Sequence, residues 1–139
     1  MEIRRLRGAL ARRGERFLAR IFTPEEIEDA TRGSDFAASI AARFAAKEAA
    51  YKALRTWLGR PVPLRSIVIS AGRGQAPRVA LAGPLGIAAG EVTWWCSLTH
   101  TAEYACAVVV LEAAAPSRPA STPADAGPVR SLAAQRRGG

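Results

Sequence analysis

The stretch RFAAKEAAYKAL, Arg43 to Leu54, lies in the middle of the longest run of helix-forming residues in the chain. Advancing 100° per residue, Phe36, Ile40, Phe44, Tyr51, Leu54 and Leu58 fall within one band of about 80°. The spacing predicts a long helix, capped by Ser34 or Asp35 and ended near Leu58 by Gly59 and Pro61. Lys47 lies inside the apolar band, Glu48 on its edge, and Lys52 one turn beyond Glu48. A lysine set in an apolar stripe needs an anionic partner, a snorkelling route or a pocket.

Outward from this helix, composition bounds the rest. At 139 residues the chain fits one domain able to bury a core. Residues 114–139 are rich in Pro, Ala, Ser and Gly, lack aromatics and show no hydrophobic period, which predicts a disordered tail behind a folded domain of residues 1–113. The formal charge of +8 divides into +5 for the domain (16 basic, 11 acidic) and +3 for the tail (4 basic, 1 acidic). A basic domain fits anionic partners: nucleic acid, a phosphate-bearing small molecule or an acidic protein. No window approaches the roughly 18 uncharged apolar residues that cross a bilayer, and the arginine-rich start has no secretory apolar region. A cytosolic protein is expected, with no membrane partner and with Cys96 and Cys106 as two buried thiols rather than a disulfide.

Ahead of the long helix, Ile3, Leu6, Leu10, Phe17 and Ile21 space as one stripe of an amphipathic helix over residues 3–21, with arginines on most other faces. That basic surface is either a solvated face or a docking face for an acidic partner. Thr23-Pro24-Glu25-Glu26 reads as a helix start, with an N-cap, a proline at the first position and acids in the first turn, leading to a short helix through about Ala30. Behind the long helix the period changes. Residues 64–70 and 78–82 read as strands about a turn at 71–74, residues 83–90 as loop, and 91–99 and 103–112 as two long strands joined near His100–Ala102. The last strand is apolar on both faces, with Tyr104, Cys106, Val108 and Val110 on one and Ala105, Ala107, Val109 and Leu111 on the other. A helix can cover one face; another subunit could supply the second cover.

Several chemistries are poorly served. With one histidine and two cysteines out of metal spacing there is no zinc site, and no phosphate-binding glycine loop or nucleophile elbow occurs. What remains is a carboxylate among cations (Arg43, Lys47, Glu48, Lys52) and the segment Ser97-Leu98-Thr99-His100-Thr101 at the head of a hairpin. A carboxylate can bind Mg²⁺ together with substrate phosphates, and neighbouring cations can neutralise the same phosphates, which suits phosphoryl transfer. Against this, Glu48 and Lys52 could form a surface helix pair, and Thr99 and His100 could be turn residues.

RFAAKEAAYKAL, the start MEIRRLRGALARRGERFLARIFTPEE and the end WCSLTHTAEYACAVVVLE together resemble the holo-acyl-carrier-protein synthases, small 4′-phosphopantetheinyl transferases. The likeness runs from Met1 to about Glu112 and leaves out the tail. It implies an α+β fold in which N-terminal helices, one of them long, pack on a small antiparallel sheet, assembled as a homotrimer with sites between subunits. It implies Mg²⁺-dependent transfer of phosphopantetheine from coenzyme A to a serine of apo acyl carrier protein, in fatty acid biosynthesis. Carried over, Glu48 binds the metal and Lys52 contacts the diphosphate. Arg43, Lys47, His100 and Thr101 line the coenzyme A pocket, and Arg5, Arg16 and Phe17 receive the carrier protein. Members of the family open with a Gly-Ile-Asp-like strand whose aspartate is a second metal ligand, and in the alignment this aspartate falls before Met1. The resemblance therefore implies little or no transfer by residues 1–139 alone and recovery when such a segment is restored. Two other classes stay open: a degenerate relative that binds coenzyme A or carrier protein with little turnover, and a nucleic-acid binder whose affinity falls steeply with salt and needs no Glu48.

Overall fold

A computed structural model describes residues 1–72 and 74–113, so the expected tail lies outside the described residues. The order is α1 (Ile3–Ile21), α2 (Pro24–Thr31), α3 (Phe36–Leu58), a 3₁₀ turn (Leu64–Ser66), β1 (Ile67–Ser70), β2 (Arg78–Leu81), α4 (Pro84–Ala89), β3 (Val92–His100) and β4 (Ala105–Ala113). No helix among the described residues is long and apolar enough to cross a membrane.

The helix boundaries follow from local chemistry. Thr23 and Glu26 close a reciprocal capping box at the start of α2: the Glu26 N–H donates to Thr23 Oγ1 and the Thr23 N–H to Glu26 Oε2. Asp35 caps α3, its Oδ1 accepting from the Ala38 N–H at 3.1 Å. Gly59 ends that helix in the left-handed region at φ 69°, where a side chain would be strained. Residues 83–90, expected as loop, instead carry α4. Pro84 supplies the pre-set φ of a first helical position, and Gly83 and Gly90 hold the positive-φ ends.

The strands form two antiparallel ribbons, β1–β2 and β3–β4, with the helices packed on them in the α+β arrangement that the resemblance implies. The second is a nine-residue ladder from Val92↔Ala113 to His100↔Ala105. Residues 1–3 lie along the start of β4: the Met1 amine donates to the Ala105 carbonyl at 2.8 Å, Ala105 N–H to Met1 O at 2.9 Å, and Ile3 N–H to Glu103 O at 2.8 Å.

Helix α3 runs through the middle and is more deeply buried than an edge stripe. Its buried face is largely alanine (Ala37, Ala38, Ala41, Ala42, Ala46, Ala50), whereas Phe36, Phe44, Tyr51 and Leu58 are only partly covered. Small side chains let the helix approach the ribbons closely, and Ala105 and Ala107 do the same from β4. One core cluster joins the first half of α3 to Ile3, Leu6, Phe22, Ala30 and Ala105; a second joins its latter half to Val62, Ile67, Ile69, Leu85 and the inner face of β3–β4.

The outer face of β3–β4 has no cover among the described residues. Trp95 (59% exposed), Val108 (63%) and Val110 (46%) line it, with Tyr104 (58%) near its end. Cys106 sits on this exposed face, not in the core as expected, because the alternation of β4 turns it outward. Cys96 is half-buried on the inner side, where burial raises its thiol pKa.

Candidate active site

Helix α3 divides the candidates it carries. Lys47 and Glu48 are adjacent and so point about 100° apart around the axis. Glu48 and Lys52 are exposed, and among the described residues neither forms an ion pair, so the surface pair open to them is not made. Both groups face solvent with their charge uncompensated. Lys52 lines an open depression with Tyr51, Arg55, Thr56 and Gly59.

Lys47 goes the other way, and here the expectation of a coenzyme A contact is corrected. Its side chain is 0% exposed, and Nζ lies 2.8 Å from Glu26 Oε2, donates to the Leu64 carbonyl at 3.2 Å and also donates to the Ile67 carbonyl. An ammonium has three donors, and all three have acceptors inside the fold. The Phe22 ring, with its centroid 5.3 Å from Nζ, lies over the same ammonium. Burial pushes the Lys47 pKa down, and the hydrogen bond and charge of Glu26 oppose the shift. Of the three routes open to a lysine in an apolar stripe, this one has the anionic partner.

Glu26 is the residue the sequence pattern missed. Its carboxylate is 1% exposed and accepts from three donors: Lys47, the Thr23 N–H and the Ile69 N–H, each at 2.8 Å. The Thr23-x-x-Glu26 spacing reveals a capping glutamate, but not that the same carboxylate serves β1 and α3. The usable signal was Lys47 itself, since a buried ammonium requires a buried acid.

Arg43 is also inward, at 4% exposure. Nη1 and Nη2 donate to the Ser39 and Ala71 carbonyls at 3.2 Å each, while Nε has no acceptor among the described residues. Burial lowers its pKa, opposed by the charges of Asp29 and Glu26. A buried N–H without an acceptor costs about 1–3 kcal/mol.

His100 ends β3 and is exposed. Thr101 Oγ1 accepts from the Glu103 and Tyr104 N–H groups at 3.2 and 3.0 Å, so this hydroxyl organises the four-residue turn. The turn sits toward the first half of α3, since Leu98 and Ala105 pack with Ile40 and Ala41 while Trp94 and Leu111 pack with Ala50 and Leu54. At about 1.5 Å per residue, Ala41 and Lys52 are roughly 16 Å apart along the helix. Within one chain, therefore, the fold does not bring His100 and Thr101 together with Lys52.

On α1, Arg5 and Arg16 are exposed, with Arg12, Arg13 and Arg20 on the same side. Phe17 belongs to the apolar stripe instead, half-buried with its ring centroid 6.3 Å from that of Phe44. No cluster of three or more His, Cys, Asp or Glu occurs among the described residues. Glu48 can still serve Mg²⁺, which commonly takes one or two carboxylates plus waters and substrate phosphates.

Comparison with known proteins gives the chain's family. The family model described as ACPS, 4′-phosphopantetheinyl transferase superfamily, matches residues 1–109. The holo-[acyl-carrier-protein] synthase of Solidesulfovibrio magneticus is 40% identical over 115 residues, covering 81% of this chain and 92% of that protein. That of Anaeromyxobacter sp. strain K is 43% identical over 126 residues, covering 84% and 93%. Among solved structures, the Helicobacter pylori holo-[acyl-carrier-protein] synthase in complex with coenzyme A superposes with a TM-score of 0.68 at 30% identity, covering 81% of this chain and 95% of that one. The Mycobacterium tuberculosis acyl carrier protein synthase gives a TM-score of 0.62 at 34% identity, covering 82% and 92%. Sequence and fold agree over the same residues: the chain belongs to the 4′-phosphopantetheinyl transferase superfamily, among its holo-[acyl-carrier-protein] synthases.

Proposed function

We propose that this chain moves 4′-phosphopantetheine from coenzyme A to a serine hydroxyl of apo acyl carrier protein, with Mg²⁺, in the cytoplasm and in support of fatty acid biosynthesis. The single observation that carries this reading is the outward pair Glu48 and Lys52, one turn apart, exposed and without an ion-pair partner among the described residues. Glu48 would hold Mg²⁺, which would neutralise charge on the coenzyme A diphosphate. Lys52 would pair with the same diphosphate as a point charge. In the transfer, the serine oxygen forms a bond to phosphorus and the phosphate oxygen of adenosine 3′,5′-bisphosphate departs. The chain's own contribution is positioning and charge. Arg43, through its free Nε, and His100 and Thr101 at the hairpin turn would address the rest of coenzyme A. The distance along α3 between that turn and Lys52 favours sites completed by a neighbouring subunit of a homotrimer, and the uncovered face of β3–β4 suits such an assembly. The arginine face of α1, with Arg5 and Arg16 and with Phe17 at its edge, would receive the acidic carrier protein.

Mass spectrometry of apo acyl carrier protein incubated with this chain, coenzyme A and Mg²⁺ tests the reading. One phosphopantetheine gained on serine, abolished by Glu48→Gln, is the expected result; no gain at any enzyme concentration, with or without an added N-terminal Gly-Ile-Asp-type segment, defeats it. A second reading, binding with little turnover, is favoured by the lack of any metal-binding group of three or more His, Cys, Asp or Glu around Glu48 among the described residues. It predicts coenzyme A binding, by calorimetry, with no mass change on the carrier.

A further inference from the structure

We infer that Lys47 and Glu26 form a positioning device, a buried lock that sets the rotation of α3 and thereby aims Glu48 and Lys52. The inference rests on the transferase reading above. The lock joins three elements: Lys47 on α3 holds Glu26 on α2 and the carbonyls of Leu64 and Ile67 around the start of β1, and Glu26 in turn holds the Thr23 and Ile69 N–H groups.

Two observations point to aim rather than to stability alone. The first is what surrounds the lock. Ala42, Ala45, Ala46, Ala49 and Ala50 flank Lys47, so this part of α3 has almost no ridges with which to interdigitate and fix its own rotation. A smooth helix packed on small residues can turn or slide cheaply, and directional hydrogen bonds remove that freedom. The second is energetic. A buried ion pair commonly stabilises no better than a well-packed apolar pair of the same volume, and its best-attested use is specifying register. Leverage does the rest: a glutamate side chain reaches about 6 Å from the helix axis, so a 10° turn of α3 moves the Glu48 carboxylate by about 1 Å. Displacements of that size can cost about 100-fold in rate. Lys47 directly precedes Glu48, so the lock lies at the point of α3 where error in aim is smallest.

The test is a double variant, Lys47→Met with Glu26→Gln, which removes both charges at nearly constant volume. The expected result is a kcat about 10–100-fold lower with KM for coenzyme A within about threefold of the parent, the signature of misplaced rather than missing binding groups. Amide hydrogen exchange across residues 44–52, read by mass spectrometry at matched global stability, is expected to quicken about tenfold or more. A folded double variant with parental kcat and parental exchange overturns the lock, while the transferase reading stands on the parent's own activity. If the parent transfers nothing, exchange across residues 44–52 alone decides whether the lock holds the helix, and the transferase reading is judged separately by its own test. Should the double variant not fold, Glu26→Gln alone takes its place with the same two readouts.

Discussion

Val108→Glu should separate the assembled protein from its subunits without unfolding them. Val108 stands on the uncovered face of β3–β4, 63% exposed, opposite Ser97 in the ladder and flanked by Val110 on its own strand. Weighted by their exposures, Trp95, Tyr104, Val108 and Val110 leave roughly 400 Å² of apolar surface open. At about 25 cal/mol per Å² that is on the order of 10 kcal/mol of gross driving force per protomer, enough to offset an association cost of about 4–15 kcal/mol. A carboxylate at Val108 adds a desolvation penalty of several kcal/mol per protomer once the face is covered. In the separated chain the same change sits on a wet face and costs about 1 kcal/mol or less. Light scattering after gel filtration at micromolar concentration should give the parent three times the 14.7 kDa chain mass and the variant 14.7 kDa, with far-ultraviolet dichroism unchanged. Phosphopantetheine transfer should be lost with the assembly, because each site is expected to draw residues from two chains. A Val108→Glu protein that keeps the trimeric mass, or a parent that runs as a single chain, would refute the assignment of this face.

Three further outcomes follow from the geometry. Lys47→Met alone leaves the Glu26 carboxylate buried and short of one donor, which should cost about 3–5 kcal/mol in urea unfolding, whereas adding Glu26→Gln should recover most of that loss; equal destabilisation in the single and double variants would contradict the pairing. Asp35 is held below the ordinary carboxylate range chiefly by the Ala38 N–H, with Arg7 adding to the effect. The stability it supplies is therefore present above its unfolded pKa and lost as pH falls through the lower folded one. Asp35→Ala should cost about 1 kcal/mol at pH 7, with the gap to the parent closing in acid, while Asp35→Asn should show a cap without that pH dependence. Arg5→Glu combined with Arg16→Glu should raise KM for acyl carrier protein about tenfold at low salt and much less at high salt, leaving KM for coenzyme A unchanged; an unchanged carrier KM would clear α1 of the docking role.

Much of the fold was legible because its signals are local. The capping pattern at Thr23–Glu26 starts α2, and the Asp35 cap and the Gly59 stop bound α3, on covalent and hydrogen-bonding grounds that need no tertiary partner. Three features were not legible. Pro84–Ala89 is a single short helical run between glycines, too brief for a period to show. The split into two ribbons depends on packing against α3, and alternation alone does not carry strand order. The partner of Lys47 lies 21 residues away on another helix, so sequence spacing could say that Lys47 needed an acid but not that Glu26 was the one. The candidate site shows the same limit. Patterning marked Lys47 as the odd residue, but the helix turns its neighbour Glu48 outward, and only the folded structure shows that these two adjacent charges have opposite surroundings.

The chain has only two lysines, Lys47 and Lys52. With Lys47 wholly enclosed and the Met1 amine tied to the Ala105 carbonyl, one side-chain amine remains open to reagents, that of Lys52. An amine-reactive label thus has a single side-chain target in the folded protein, placed by the protein's own packing at the edge of the candidate site. Its rate of attachment reads ligand occupancy at that point, and a second side-chain label, on Lys47, appears only when the core opens.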